Sequence, residues 1–245
     1  MAHACENVRR VADRVVIERR FRGPPDSGNG GYSCGLLARS LEPRQVEVTL
    51  RLPPPLERAM SIEPDDGEVV MRDGEALVAE AHAIEDFELE VPDPIGVEEA
   101  RAAREASPLH QHHPFPDCFV CGPHRHTGDG LCIVCGPNGS GLVAAPWEVD
   151  NSVANAGGTV RPEIVWAALD CPGGLAGILS PDLGVCVLGR LAARIHGSIE
   201  PGMNCVAIGW PIDRDGRKFH AGSAIFSEGG DLLADARATW IELKG

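Results

Sequence analysis

Aromatic side chains are scarce in this chain: six Phe, four Trp and one Tyr among 245 residues. Small and aliphatic residues must then do much of the packing, which suits backbones that approach closely. Basic residues are also in the minority, 22 Lys and Arg against 36 Asp and Glu, for a formal net charge of −14. That balance argues against nucleic acid as the main partner, because phosphate binding needs basic patches. Long apolar runs are missing too, so nothing in the sequence reads as a membrane insertion. The first residues, MAHACENVRRVADRVV, lack a sustained apolar core and carry acids early, unlike a secretory signal. Nine cysteines, an odd number, without an export signal read as reduced thiols in a cytoplasmic protein.

Glycine and proline are plentiful, at 29 and 20, so many turns are expected. The most informative positive feature is a repeat. Residues 69–83, VVMRDGEALVAEAHA, align without a gap on residues 224–238, AIFSEGGDLLADARA. Gly74 falls on Gly229, Leu77 on Leu232, and Ala79, Ala81 and Ala83 on Ala234, Ala236 and Ala238. Each copy reads as a strand, an acidic-Gly turn and a second strand. A repeat of this period indicates two copies of one structural unit.

The halves can be read in parallel. Residues 12–21 read as a strand, 24–31 as a Gly-rich loop, and 32–41 as a short helix stopped by Pro43. Strands follow at 46–52, after 53, and through the repeat, with FELEV at 87–91 closing the unit. Residues 92–117 read as a linker containing a polar helix, VEEARAAREAS, and a Pro- and His-rich loop. His110, His112 and His113 lack the helical spacing of a metal pair and read as solvated loop. In the second half, GLVAAPW is a strand, a loop ends in Gly157-Gly158, and PEIVWAALDC is a helix broken near Pro172. Four long strands complete it. One helix before a run of strands is not a βαβ pattern. The expectation is an α+β fold of two tandem units, 1–91 and 118–245, each a curled antiparallel sheet around a central helix.

Three stretches carry a family resemblance: Asn29-Gly30-Gly31-Tyr32, CFVCGP at 118–123 followed by GDGL at 128–131, and VWAALD at 165–170. In this order, and with the duplication, they resemble the hotdog-fold acyl-CoA thioesterases, in the double-hotdog form. The resemblance implies the two tandem hotdog units. It also implies hydrolysis of acyl-CoA or a related acyl thioester, with the oxyanion loop of one hotdog facing the acid of the other and no cofactor.

Thioester hydrolysis needs an acid acting as general base or nucleophile, and N–H groups that hold the oxyanion. A Gly-Gly pair entering a helix offers such donors. Asp170, in the apolar run AALDCPGG, is costly to bury unless paired or functional, and the resemblance makes it the catalytic acid. Asn29 would polarise the carbonyl, with Gly30, Gly31, Tyr32 and Trp166 binding substrate. A plain turn role for Asn29 and a helix-end role for Asp170 are the competing readings. The first half departs from the family: nine residues after Asn29 stands Ala38, so the reciprocal site of Gly157-Gly158 with Ala38 lacks its acid. About five extra residues between Gly158 and the second helix make Glu163 an alternative acid, although first-turn glutamates usually serve the helix dipole.

CFVCGP and CIVCGP, at 118–123 and 132–137, fit a structural four-thiolate zinc pattern. Their separation is short, and LCIVC reads as a strand that would point Cys132 and Cys135 to opposite faces. No metal ligand is assigned from sequence, and Cys171 reads as a small buried helix residue. Trp147, Trp166, Trp210 and Trp240 could line an acyl tunnel, and most of them read as core. Arg161, Arg190, Arg194, Arg217 and Lys218 could supply cations to a CoA-type ligand, although most of them read as solvated surface. Competing functions are a non-catalytic acyl-CoA or lipid-binding protein, a hotdog hydratase and a zinc-dependent interaction module. A homo-oligomer is compatible with two fused units.

Overall fold

The computed structural model describes residues 13–41 and 45–244. The start of the expected first strand and the stop at Pro43 lie outside them. The first half contributes β1 (Asp13–Val16), β2 (Gln45–Leu50), β3 (Ala59–Asp65), β4 (Glu68–Asp73) and β5 (Ala76–Ile84). The second contributes β6 (Gly136–Pro137), β7 (Val143–Glu148), β8 (Cys186–Ile195), β9 (Asn204–Asp215), β10 (Lys218–Ser227) and β11 (Leu232–Glu242). They form one antiparallel sheet in the order β1-β3-β4-β5-β2-β8-β11-β10-β9-β7-β6. Apart from the short edge strand β6, this order reads outward identically from the β2–β8 seam. β2 matches β8, β5 matches β11, and so on to β1 and β7. The seam pairs Val46 with Ala193 and Thr49 with Arg190.

The sequence repeat occupies matching hairpins, β4–β5 and β10–β11. Each carries a register shift, between Met71 and Arg72 and between Ile225 and Phe226. The residues passed over in pairing, Val78 and Leu233, are aligned positions of the repeat. A bulge bends and twists a strand locally, so the repeated sequence encodes the curl as well as the strand pair.

Two helices fill the interior: α1 (Gly30–Ala38) and α3 (Pro162–Leu175). Every residue from Gly31 to Ala38 and from Glu163 to Gly173 is buried. The helices pack on each other, α1 against β2, β5 and β8, and α3 against β8 to β11. Small residues permit this. A Cβ on Gly35 would stand 2.6 Å from Glu163 Cα, and one on Gly31 would stand 2.5 Å from the Trp166 carbonyl oxygen. The polar helix of the connecting segment is α2 (Val97–Glu105). Its Ala100 and Ala103 cover an outer apolar patch that includes Ala144, Ile208 and Trp210.

Three expectations of local structure change. The helix does not break at Pro172; α3 continues to Leu175. Proline removes one backbone donor there, and the buried Ser223 hydroxyl donates to the neighbouring Leu169 carbonyl at 2.6 Å. LCIVC is not a strand: residues 131–135 are irregular, and Cys132 has a φ of 58°. FELEV forms no strand either.

Candidate active site

Asn29 caps α1. Its side-chain oxygen accepts the Tyr32 N–H at 2.9 Å, satisfying one of the free donors of the first helical turn. The same amide donates through Nδ2 to Asp170 Oδ2, also at 2.9 Å. Gly31 N–H donates to that oxygen at 2.8 Å. The N-terminus of α1 thus grips a carboxylate from the middle of α3, 141 residues away in sequence. Asp170 is 2% exposed, and its Oδ1 has no hydrogen-bond partner. Burial pushes its carboxyl up to about 7, and the nearby Cys118 adds to the rise. The Gly31 N–H and Asn29 amide act the other way without cancelling it. A buried carboxyl with one unpaired oxygen at this protonation balance can accept or deliver a proton near neutrality.

Asn29, Gly30 and Asp170 line a cavity of about 440 Å³ whose wall is mainly apolar, with Leu109, Ile178, Leu183, Leu188 and Trp240 among its residues. A largely apolar cavity with a few convergent polar groups is the usual form of a small-molecule site. Three cysteines, Cys118, Cys121 and Cys171, lie on the same wall, as does His113. His113 Nδ1 accepts the Phe115 N–H at 2.9 Å, and its buried Nε2 has no partner. Burial lowers its pKa. The sequence placed this residue in a solvated loop; nothing local distinguishes it from His110 and His112.

The structure therefore brings Asn29, Gly30, Gly31 and Asp170 together. It uses the Gly31 N–H to hold the carboxylate and so does not leave it free for an oxyanion. Tyr32 and Trp166 do not line the cavity. Tyr32 stacks on Phe21 with ring centroids 4.2 Å apart, and Trp166 is buried between the helices, where a Cβ on Gly35 would come within 2.9 Å of its own. Glu163 also lies elsewhere, buried beside Arg39 at 3.3 Å and Arg161 at 3.7 Å.

The expected reciprocal loop needs correction. Gly157 and Gly158 are exposed, and α3 is entered through Arg161, its N-cap. Arg161 precedes Asp170 by nine residues, as Asn29 precedes Ala38. The two helices are in register after all, and the position matching Asn29 is an arginine. The intervening residues lengthen a surface loop.

No protein-family model matches this chain, and no curated protein does. Solved structures match over part of it. One is a thioesterase superfamily protein at 18% identity and a TM-score of 0.45, with 52% of this chain and 61% of that one covered. The chain thus spans less than two thirds of that relative. A Streptococcus mutans protein solved with acetyl CoA bound is 16% identical, with a TM-score of 0.40 over 42% of this chain and 82% of its own. A Haemophilus influenzae thioesterase is 22% identical, with a TM-score of 0.42 over 46% and 80%.

Proposed function

We propose that this protein is a thioesterase of double-hotdog architecture that hydrolyses acyl-CoA or a related acyl thioester. The observation that carries the proposal is the buried Asp170 carboxylate, gripped by the N-terminus of α1 on the wall of an apolar cavity. In this reading the acyl chain occupies the cavity and the thioester carbonyl lies at the part of its wall formed by Asn29, Gly30 and Asp170. Asp170 Oδ1 takes a proton from water as the water oxygen attacks the carbonyl carbon. The developing oxyanion is held by Gly30 N–H and by the Asn29 amide, which turns to it from its long contact with Cys171 Sγ at 3.8 Å. Collapse breaks the C–S bond, and the proton passes from Asp170 to the departing thiolate.

The units are read as 1–91 and 118–245, joined by 92–117, in a cytoplasmic enzyme. The match of Asp170 with Ala38 supports one working site per chain. A second reading, an acyl-CoA or lipid carrier without turnover, is favoured by one observation: Gly31 N–H and one Asn29 N–H are already spent on Asp170. A thiol-release assay over short, medium, long and aromatic acyl-CoAs separates the two. Turnover on at least one class is expected. Tight binding of the same compounds with no thiol released would establish the carrier.

A further inference from the structure

The three cysteines on the cavity wall converge to a point. Cys118 and Cys121 sit on one turn, closed by Gly122 N–H donating to the Cys118 carbonyl at 2.9 Å. Cys171 comes from α3, immediately after Asp170. Their sulfurs all lie within 4.8 Å of one another, and Cys118 Sγ to Cys171 Sγ is 3.7 Å. We propose that Cys118, Cys121 and Cys171 form a three-thiolate site for a soft divalent ion of the zinc class, with its fourth position open to the cavity.

Geometry and donor chemistry both support the assignment. Thiolates about 2.3 Å from a tetrahedral zinc stand about 3.8 Å apart, which is the Cys118–Cys171 separation. Three soft sulfurs select zinc-class ions over magnesium or calcium, which prefer oxygen. All three side chains are buried and all three line the same cavity, so the remaining tetrahedral position faces it. Three protein ligands with an open fourth position are the pattern of a reactive metal site, whereas closed structural sites use four. An independent feature points to a ligand at the same place. Asp170 Oδ1 is buried and unpaired on the residue adjoining Cys171, where it could accept a hydrogen bond from a metal-bound water. His113 is a poor fourth ligand. Its Nδ1 lone pair is taken by Phe115 N–H, which leaves the proton of the neutral ring on Nε2.

This set differs from the two-knuckle, four-thiolate pattern in the sequence. Cys132 and Cys135 are not members of the cluster. The site also stands independently of thioester hydrolysis, since it is defined by metal binding alone.

The test is zinc and cobalt(II) binding by the full chain. The protein is purified under reducing conditions, stripped, reconstituted with zinc chloride and dialysed. About one zinc per chain is expected. Cobalt(II) should give tetrahedral visible bands and a sulfur-to-cobalt charge-transfer band that drops by about a third in each of Cys118→Ser, Cys121→Ser and Cys171→Ser. Cys132→Ser and Cys135→Ser should keep both signals. Should the serine variants fail to fold, alkylation mapping of the wild type decides. A chelator should expose Cys118, Cys121 and Cys171 together, and zinc should protect them together. The proposal is overturned if reconstituted protein retains no zinc, or if Cys132→Ser or Cys135→Ser abolishes binding. A disulfide among the three cysteines in metal-free protein as isolated would overturn it as well.

Discussion

Gly31→Ala is the sharpest perturbation of the helix contact that holds Asp170. The added methyl would meet Asp170 Cβ at 2.5 Å, the Trp166 carbonyl oxygen at 2.5 Å and Ala167 Cα at 3.0 Å. Two of these neighbours are backbone atoms of a buried helix and cannot swing aside, so α1 and α3 must separate. Overpacking of this kind costs about 1–3 kcal/mol, and a net loss of about 2 kcal/mol lowers Tm by roughly 4–8 °C for a chain of this size. Separation also lengthens the Gly31 N–H to Asp170 bond, and about 1 Å of misplacement at a reacting group can cost about 100-fold in rate. Gly35→Ala is the matched control. Its methyl would meet Glu163 Cα at 2.6 Å and Trp166 Cβ at 2.9 Å, one turn further from Asp170. The assay is thermal unfolding together with thiol release. Both variants should lose similar stability, and Gly31→Ala should lose far more turnover. Equal losses of turnover, or a Gly31→Ala protein with unchanged Tm, would mean that the α1–α3 contact does not position Asp170.

Asp170→Asn should stabilise the metal-stripped protein in a pH-dependent way. The folded carboxyl is raised from 3.8 to about 7. Its favourable contribution is therefore full below about pH 4 and lost as pH rises through about 7, and a shift of about 3 units corresponds to about 4 kcal/mol. Urea unfolding should show little difference from wild type at pH 4 and a growing advantage for the variant up to pH 8; a constant difference would contradict the burial argument. Asn29→Asp keeps a capping oxygen but sets a second carboxylate where Nδ2 now stands 2.9 Å from Asp170. It should lower turnover at least 10-fold while costing less than about 2 kcal/mol in chemical denaturation. Leu188→Phe enlarges a side chain on the cavity wall beside Gly30. A chain-length series should lose its longest acyl-CoA substrates first, and an unchanged profile would place the acyl chain elsewhere.

Much of the architecture was legible because it is written locally. The Ala-rich repeat specifies matching hairpins, Gly31 of the Gly-Gly pair permits the helix contact while Gly30 lies against Leu188, and an isolated acid in AALDCPGG marks Asp170. What the sequence hid depends on distant packing. The continuation of α3 through Pro172 is accompanied by a hydroxyl contributed from β10. The thiol cluster needs Cys171 to approach Cys118 across 53 residues, which the Cys-x-x-Cys spacing does not encode. His113 enters the cavity through the fold of its loop, which histidine spacing does not encode. Tyr32 and Trp166 look like pocket residues by proximity to the motifs, yet helix geometry turns them into the core.

The most direct test of the central claim is kcat/KM for the best acyl-CoA substrate, measured by thiol release with wild type and Asp170→Asn side by side. Asparagine can still accept from Gly31 and Asn29 through its oxygen but cannot take a proton from water. The expected result is a folded variant that binds the substrate and loses at least about 100-fold in turnover. A folded variant with wild-type turnover would contradict it.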